Sequence, residues 1–243
     1  MDSLKPSTKY FTGVDTKVLL AFIAMILGIT GFLIIAGIVM KGATDNIDLQ
    51  ILRSLRNPLH PWKPIGPDWL FESMRDITSL GGATIVFIIT LIASGYFLIK
   101  KEYTLLILIL IATIGGAFLD LGLKDFYGRV RPSIFPKLIE VKTYGFPSGH
   151  SMMSTIVYLS LASLMIRVQG HRLYKIYVIS VALFLTFIIG ISRIYLGAHY
   201  PTDVLAGWSM GLAWASLCWY VSWRYYRKKT KKPDSMVNSL NGR

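Results

Sequence analysis

Six long apolar segments alternate with polar stretches along the chain. A helix needs about 17 to 25 apolar residues to cross a bilayer, and most of the segments have this length. They cover residues 18–40, 83–99, 104–122, 152–166, 174–191 and 204–223. The fourth segment is short, and we expect its helix to extend back to Gly149. The pattern predicts an all-α fold, an integral membrane bundle of six transmembrane helices.

The composition supports this interpretation and excludes other classes. Only 16% of the 243 residues are charged, whereas soluble domains have about a quarter. A single cysteine, Cys218, excludes an internal disulfide framework. The net charge of +13 would suit nucleic acid, but nearly all the charges lie outside the long apolar segments, which continue through the whole chain. We therefore expect the lipid bilayer as a partner and no nucleic acid.

The positive charges also predict an orientation. With a cytoplasmic N-terminus, the inner segments contain 15 of the 26 Lys and Arg residues but only 4 of the 13 acidic residues. Because inner loops of membrane proteins are enriched in Lys and Arg, both termini are predicted to be cytoplasmic. Residues 1–225 are predicted to form one transmembrane domain, and residues 226–243 a basic, disordered tail.

The longest connection, residues 41–82, has a composition of its own. It contains Pro58, Pro61, Pro64 and Pro67, with tryptophans at 62 and 69. Proline at this density disfavours regular helix, and tryptophan prefers the headgroup zone of a bilayer. We therefore expect a non-helical segment that lies along the outer membrane interface.

Three short polar blocks carry the candidate chemistry. They read Lys124-x6-Arg131-Pro132, Pro147-Ser148-Gly149-His150 and Ser192-Arg193-x5-His199-x3-Asp203. Each block lies at the end of an apolar segment, and the parity of the six crossings brings all three to the same, outer side. Fixed cations and histidines beside apolar helices suit phosphate-ester chemistry on a lipid.

Each block also has an ordinary structural explanation. Ser148 and Gly149 form an anion-binding helix N-terminus or a simple helix cap. In the functional interpretation, the Asp203 carboxylate orients His199. In the structural one, Asp203 only caps a helix and the histidine only packs beside it.

The cationic residues are open to two interpretations in the same way. In one interpretation, Lys124, Arg131 and Arg193 bind a phosphate. In the other, they extend towards lipid headgroups, as basic residues at helix ends commonly do. Asp120 precedes Lys124 by four residues, which places both on one helix face as an ion pair. The sequence has no carboxylate cluster of the kind that holds magnesium, so we expect no metal and no cofactor.

Together the three blocks resemble the signature of the type 2 phosphatidic acid phosphatase superfamily, with every position filled. Among bacterial members, the chain is similar to the phosphatidylglycerophosphatase B and undecaprenyl-diphosphate phosphatase groups. The resemblance implies that His199 attacks phosphorus to give a phosphohistidine, that Asp203 orients it, and that His150 protonates the leaving group. It also implies a phosphate-binding role for five residues: Lys124, Arg131, Ser148, Gly149 and Arg193.

The resemblance implies a metal-independent enzyme that hydrolyses the terminal phosphate of a membrane lipid. Phosphatidylglycerophosphate, phosphatidate and undecaprenyl diphosphate are all open as substrates, and so is the oligomeric state. We expect a multi-pass protein of the cell membrane whose site faces the periplasm or the exterior. The lipid would enter sideways between helices, with Trp62 and Trp69 as the expected lining of the entrance. Two alternatives remain, a lipid-binding or transport protein without catalysis and a vanadium haloperoxidase-like enzyme.

Overall fold

The long apolar segments form helices in the computed structural model, which describes residues 15–133, 143–168 and 171–231. This part of the chain contains eight α-helices and no strand. The helices are α1 (Thr16–Met40), α2 (Asp45–Ser54), α3 (Asp68–Ser79), α4 (Ala83–Ile99), α5 (Tyr103–Tyr127), α6 (Gly149–Val168), α7 (Arg172–Tyr195) and α8 (Pro201–Lys231).

Five of the described helices, α1, α5, α6, α7 and α8, are long and apolar enough to cross a membrane. Helices α3 and α4 meet at a bend of 48° and together form a sixth candidate span. Helix α4 alone has 17 residues, the lower limit for a bilayer crossing. The predicted all-α membrane bundle is confirmed.

Several helices extend beyond the apolar segments that predict them. Helix α6 begins at Gly149, as expected, but α5 continues to Tyr127 and α7 to Tyr195. The extra turns carry polar residues that are buried inside the bundle, so an apolar pattern underestimates these helices. Helix α8 continues to Lys231, which makes residues 226–231 helical and corrects the prediction of disorder there. Residues 232–243 lie outside the described residues.

The prediction of a non-helical segment at residues 41–82 is wrong. Helices α2 and α3 occupy much of it because the four prolines are confined to residues 58–67, between the two helices. The last of them, Pro67, directly precedes α3 with a φ of −73°, a position where proline is tolerated. Helix α2 packs against α8, and α3 packs against α7.

Helix α6 is the central helix of the bundle and packs against α5, α7 and α8. Met152 and Ile156 on α6 are fully buried, and with Ala112 of α5 they form a core cluster. Helix α1 packs along α8, where Gly28 faces the α8 backbone. A side-chain carbon at Gly28 would lie 2.6 Å from the carbonyl oxygen of Ser209. The two helices therefore approach closely around Ser209.

Candidate active site

The three polar blocks meet at one end of the bundle, where α5 and α7 end and α6 and α8 begin. A cavity of about 700 Å³ opens there. Six of the eight residues predicted for the site line this cavity: Lys124, Arg131, Gly149, His150, Arg193 and His199. The other two, Ser148 and Asp203, are fully buried behind the cavity wall.

His199 and Asp203 form the pair that their spacing predicts. The Nδ1 atom of His199 lies 3.4 Å from Oδ2 of Asp203, and the backbone N–H of Tyr200 donates to the same oxygen at 3.0 Å. On the other side of the ring, Nη1 of Arg131 donates to Nε2 of His199 at 2.6 Å. Because a guanidinium has no acceptor, Nε2 must accept and the ring proton resides on Nδ1. The lone pair of Nε2 therefore points at the Arg131 guanidinium, and both residues line the cavity.

The protonation of His199 follows from its surroundings. The side chain is 1% exposed, and burial, followed by the nearby charges of Arg131 and Arg193, lowers the pKa of His199 well below 6.5. Both causes disfavour the imidazolium form. At neutral pH the residue is therefore a neutral imidazole, the form that acts as a nucleophile.

Arg131 is held in place by the polypeptide backbone. Its Nε donates to the carbonyl oxygen of Thr143 at 2.8 Å, and Nη1 donates to that of Ala198 at 3.0 Å. Nη2 donates to Oγ1 of Thr143 at 3.1 Å and to the carbonyl oxygen of Tyr144 at 3.2 Å. These bonds connect the first block to the third and to the segment that precedes the second, and they give the guanidinium a fixed direction.

Arg193 is the most completely buried cation of the site, with 1% of its surface exposed. Its Nη1 donates to Oγ1 of Thr78 on α3 at 3.0 Å. Within the part of the chain that the structure describes, its Nε and Nη2 have no hydrogen-bond partner. A buried charged donor without a partner is energetically costly, and both atoms belong to a residue that lines the cavity. An anionic ligand would satisfy them.

Lys124 forms the predicted ion pair with Asp120, one helical turn earlier on α5. Both side chains are largely buried and lie against Gly149 at the start of α6. A side-chain carbon at Gly149 would lie 2.6 Å from Nζ of Lys124 and 2.8 Å from Oδ2 of Asp120. A larger residue would displace this ion pair, so glycine lets the helix N-terminus approach the lysine.

Ser148 connects the second block to the third. Its backbone N–H donates to the carbonyl oxygen of Asp203 at 2.9 Å, so α6 and α8 begin side by side. Its hydroxyl oxygen accepts from Oγ of Ser151 at 3.0 Å, which leaves its own O–H as a donor. A phosphate contact by Ser148 stays a prediction, since the residue does not line the cavity.

The cavity continues from the polar end into the apolar part of the bundle, between α4 and α5. This part is lined by Val86, Phe87, Leu91, Leu110, Ile114, Ala117, Phe118 and Leu121. Trp62 and Trp69 are not among the lining residues, so the expectation that they line the entrance is wrong. The helices themselves form the wall.

Sequence reasoning missed three polar residues around the site. Thr78 on α3 and Asp48 on α2 lie in the segment that was predicted to be irregular, and no local signal marks them. Arg129 precedes Arg131 by two residues and pairs with Asp203. Its position inside the first block was the available signal.

Comparison with known proteins identifies the family of the chain. Residues 102–227 match the family model of the PAP2 superfamily. The chain belongs to the PAP2 superfamily. Phosphatidylglycerophosphatase B of Bacillus subtilis (strain 168) is 34% identical to it over 187 residues, covering 74% of this chain and 86% of the relative. Lipid A 4'-phosphatase of Porphyromonas gingivalis is 38% identical over 98 residues, covering 37% of this chain and 38% of the relative.

The fold agrees with this membership. The crystal structure of a transmembrane PAP2-type phosphatidylglycerolphosphate phosphatase from Bacillus subtilis superposes with a TM-score of 0.68 and 30% identity. The match covers 90% of this chain and 100% of that one. The predicted superfamily, the membrane fold and the enzyme class, a lipid phosphate phosphatase, are confirmed.

The buried imidazole of this PAP2 protein gives a prediction for stability against pH. Below about pH 6.5 the unfolded chain protonates His199 while the folded protein does not, so the unfolded state binds more protons. The free energy of unfolding should therefore decrease as the pH falls from 6.5 towards the lowered pKa. The contribution is about 1.4 kcal/mol per pH unit. Thermal unfolding in detergent should show a steeper loss between pH 6 and 5 for the wild type than for His199→Asn.

The exposed His60 provides the matched control. His60→Asn should follow the wild-type pH dependence because it leaves the buried imidazole in place. Parallel curves for the wild type and His199→Asn would mean that His199 titrates normally in the folded protein.

Proposed function

We propose that the chain hydrolyses the terminal phosphate of a membrane lipid through a phosphohistidine intermediate on His199. The observation that carries this proposal is the geometry at Nε2 of His199. A neutral imidazole, oriented by Asp203 from behind, faces a cavity that is also lined by Lys124, Arg131 and Arg193.

The proposed reaction has two displacements. Nη1 of Arg131 first transfers its hydrogen bond from Nε2 of His199 to a phosphate oxygen. The freed Nε2 lone pair attacks phosphorus, the bond from phosphorus to the lipid oxygen breaks, and His150, as its imidazolium, donates a proton to that oxygen. A water molecule then attacks the phosphohistidine, His150 takes its proton, and the P–N bond breaks to release inorganic phosphate and neutral His199. Asp203 accepts the Nδ1–H bond throughout and stabilises the positive charge on the ring.

The charge of the transferred phosphoryl group would be stabilised by the cations of the site. Phosphoryl transfer depends on positioning and on compensation of charge on the equatorial oxygens. Lys124, Arg131 and Arg193 supply three positive charges, and the Gly149 N–H and the Ser148 hydroxyl supply further donors. This set performs the electrostatic role that magnesium has in kinases, so we propose a metal-independent reaction.

The apolar part of the cavity supports a lipid substrate. Along α5 it extends from Leu110 to Lys124, about 21 Å at the helical rise per residue, against about 30 Å for the hydrocarbon core of a bilayer. An acyl or prenyl chain lying between α4 and α5 would leave its phosphate at the polar end. Burial of each methylene group contributes about 0.8 kcal/mol, which favours lipids over soluble esters.

Among lipid phosphates, we propose phosphatidylglycerophosphate as the preferred substrate. The support is the 34% identity, over most of both chains, to phosphatidylglycerophosphatase B of Bacillus subtilis. Phosphatidate and undecaprenyl diphosphate present a similar terminal phosphate and are the comparison substrates. We further propose that the site faces the outer side of the cell membrane and that both termini are cytoplasmic. The asymmetry of Lys and Arg between the two sets of loops supports this orientation.

Phosphate release from protein purified in detergent tests the proposal. Wild-type protein should release phosphate from phosphatidylglycerophosphate with or without EDTA, and vanadate should inhibit it. His199→Asn should reduce kcat to background while the protein stays folded, because the nucleophile is lost. Turnover by a folded His199→Asn variant, or a strict requirement for added metal, would contradict the mechanism. No turnover of any lipid phosphate would favour a binding or transport role.

Two substitutions on α5 test the lipid groove. Ile114 and Ile111 are both 52% exposed, but only Ile114 lines the cavity. Ile114→Trp should displace part of the lipid chain. Loss of two buried methylene groups, about 1.6 kcal/mol, lowers kcat/KM by about tenfold. Ile111→Trp is the control and should leave kcat/KM unchanged.

A short-chain phosphate ester serves as the second control, since it does not occupy the groove. Its kcat/KM should be the same in both tryptophan variants and in the wild type. An equal loss on long-chain and short-chain substrates would show that Ile114→Trp disturbs the site itself. Full activity of Ile114→Trp on the long-chain lipid would contradict chain binding between α4 and α5.

A further inference from the structure

Arg129 lies two residues before Arg131 but does not line the cavity. Its side chain is 10% exposed and extends into a cluster of carboxylates. Nη1 donates to Oδ1 of Asp203 at 2.6 Å, and Nη2 donates to Oδ2 of Asp48 at 2.9 Å and to Oδ1 of Asp45 at 3.2 Å. One guanidinium therefore connects α2 to the aspartate behind His199.

The two oxygens of Asp203 have separate partners. Oδ1 accepts from Arg129, while Oδ2 accepts from the Tyr200 N–H and faces Nδ1 of His199. This division fixes the plane of the carboxylate. Rotation of the carboxylate would break the short bond to Arg129, so the orientation of Asp203 towards the imidazole depends on the arginine.

Asp48 holds the arginine from the other side. It is 1% exposed, and it also accepts from the backbone N–H and the hydroxyl of Thr202, at 3.1 Å and 2.6 Å. Thr202 and Asp203 are in the first turn of α8, so Asp48 contacts the same turn that carries Asp203. The ring of Tyr200 lies 4.3 Å from the guanidinium carbon of Arg129 and adds a cation–π contact.

The charges of this cluster depend on one another. Asp48 and Asp203 are both fully buried, and buried carboxylates need a paired cation. Burial disfavours the Arg129 cation, but the charge of Asp203 and the bonds to both aspartates outweigh it and raise the pKa of Arg129. The guanidinium therefore stays charged and is the shared counter-ion of both carboxylates.

We propose that Arg129, held by Asp48 of α2, is a positioning residue that fixes Asp203 and, through it, the nucleophilic imidazole of His199. The inference rests on the proposed function, because it requires His199 to be the attacking group. A role limited to attaching α2 to the bundle would affect stability but not the rate of the chemical step. The two roles therefore differ in their effect on kcat.

Steady-state kinetics on phosphatidylglycerophosphate test this inference. Arg129→Met should lower kcat by about 10- to 100-fold, by analogy with the loss of outer-shell groups that orient metal-bound histidines. KM should stay within about twofold of the wild type, because Arg129 does not line the cavity. Arg129→Lys should recover part of kcat, since one ammonium restores the charge but does not bridge both aspartates. Arg53→Met removes an exposed arginine of α2 and should leave both constants unchanged.

Folding is checked for each variant by elution as a single species in detergent and by thermal unfolding. If Arg129→Met does not fold, the inference is tested with Arg129→Lys and Asp48→Asn instead. Both variants should show a lower kcat at wild-type KM. The inference is overturned if these folded variants keep wild-type kcat, or if only KM changes. His199→Asn is measured in parallel. If it retains activity, the proposed function fails, whereas an inactive His199→Asn beside a fully active Arg129→Met refutes the inference alone.

Discussion

Three cations, Lys124, Arg131 and Arg193, are gathered at one end of an apolar helical bundle, and the arrangement of the site depends on how their charge is stabilised. Each has a different fixed partner: the Asp120 carboxylate for Lys124, backbone carbonyl oxygens for Arg131, and the Thr78 hydroxyl for Arg193. Within the described residues, Nε and Nη2 of Arg193 have no hydrogen-bond partner, whereas all five N–H groups of Arg131 are engaged. The unpartnered donors of Arg193 favour an anion in the cavity, and the proposed phosphate would compensate charge that is otherwise costly there.

The positive cavity also determines the state of the histidine. Burial and adjacent cations hold the pKa of His199 well below its ordinary value, so the imidazole is neutral, as the proposed nucleophilic role requires. Asp203 supplies the opposite charge on the far side of the ring, and Arg129 in turn balances Asp203. Behind the imidazole, the charges therefore alternate from negative Asp203 to positive Arg129 and then to negative Asp48 on α2. The helices outside the sequence signature are part of this arrangement, since α2 and α3 contribute Asp48 and Thr78.

Much of this could be predicted from the sequence because it depends on local patterns. Apolar length gives the spanning helices, and the spacing of four residues gives the Lys124–Asp120 and His199–Asp203 pairs. Contacts between distant residues left no such signal. Arg193 and Thr78 are 115 residues apart, and Thr202 and Asp48 are 154 residues apart. Helices α2 and α3 were missed because the prolines of the segment are confined to residues 58–67, between the two helices, and do not interrupt either of them.

The most direct test of this account is detection of the covalent intermediate. Wild-type protein is mixed with lipid carrying a labelled terminal phosphate, quenched in alkali within the first turnover, and analysed by mass spectrometry of peptides. The account predicts phosphate on His199 that forms and decays at rates compatible with kcat and that is absent from His199→Asn. Rapid turnover without any phosphoenzyme, or a label on another residue, would contradict it.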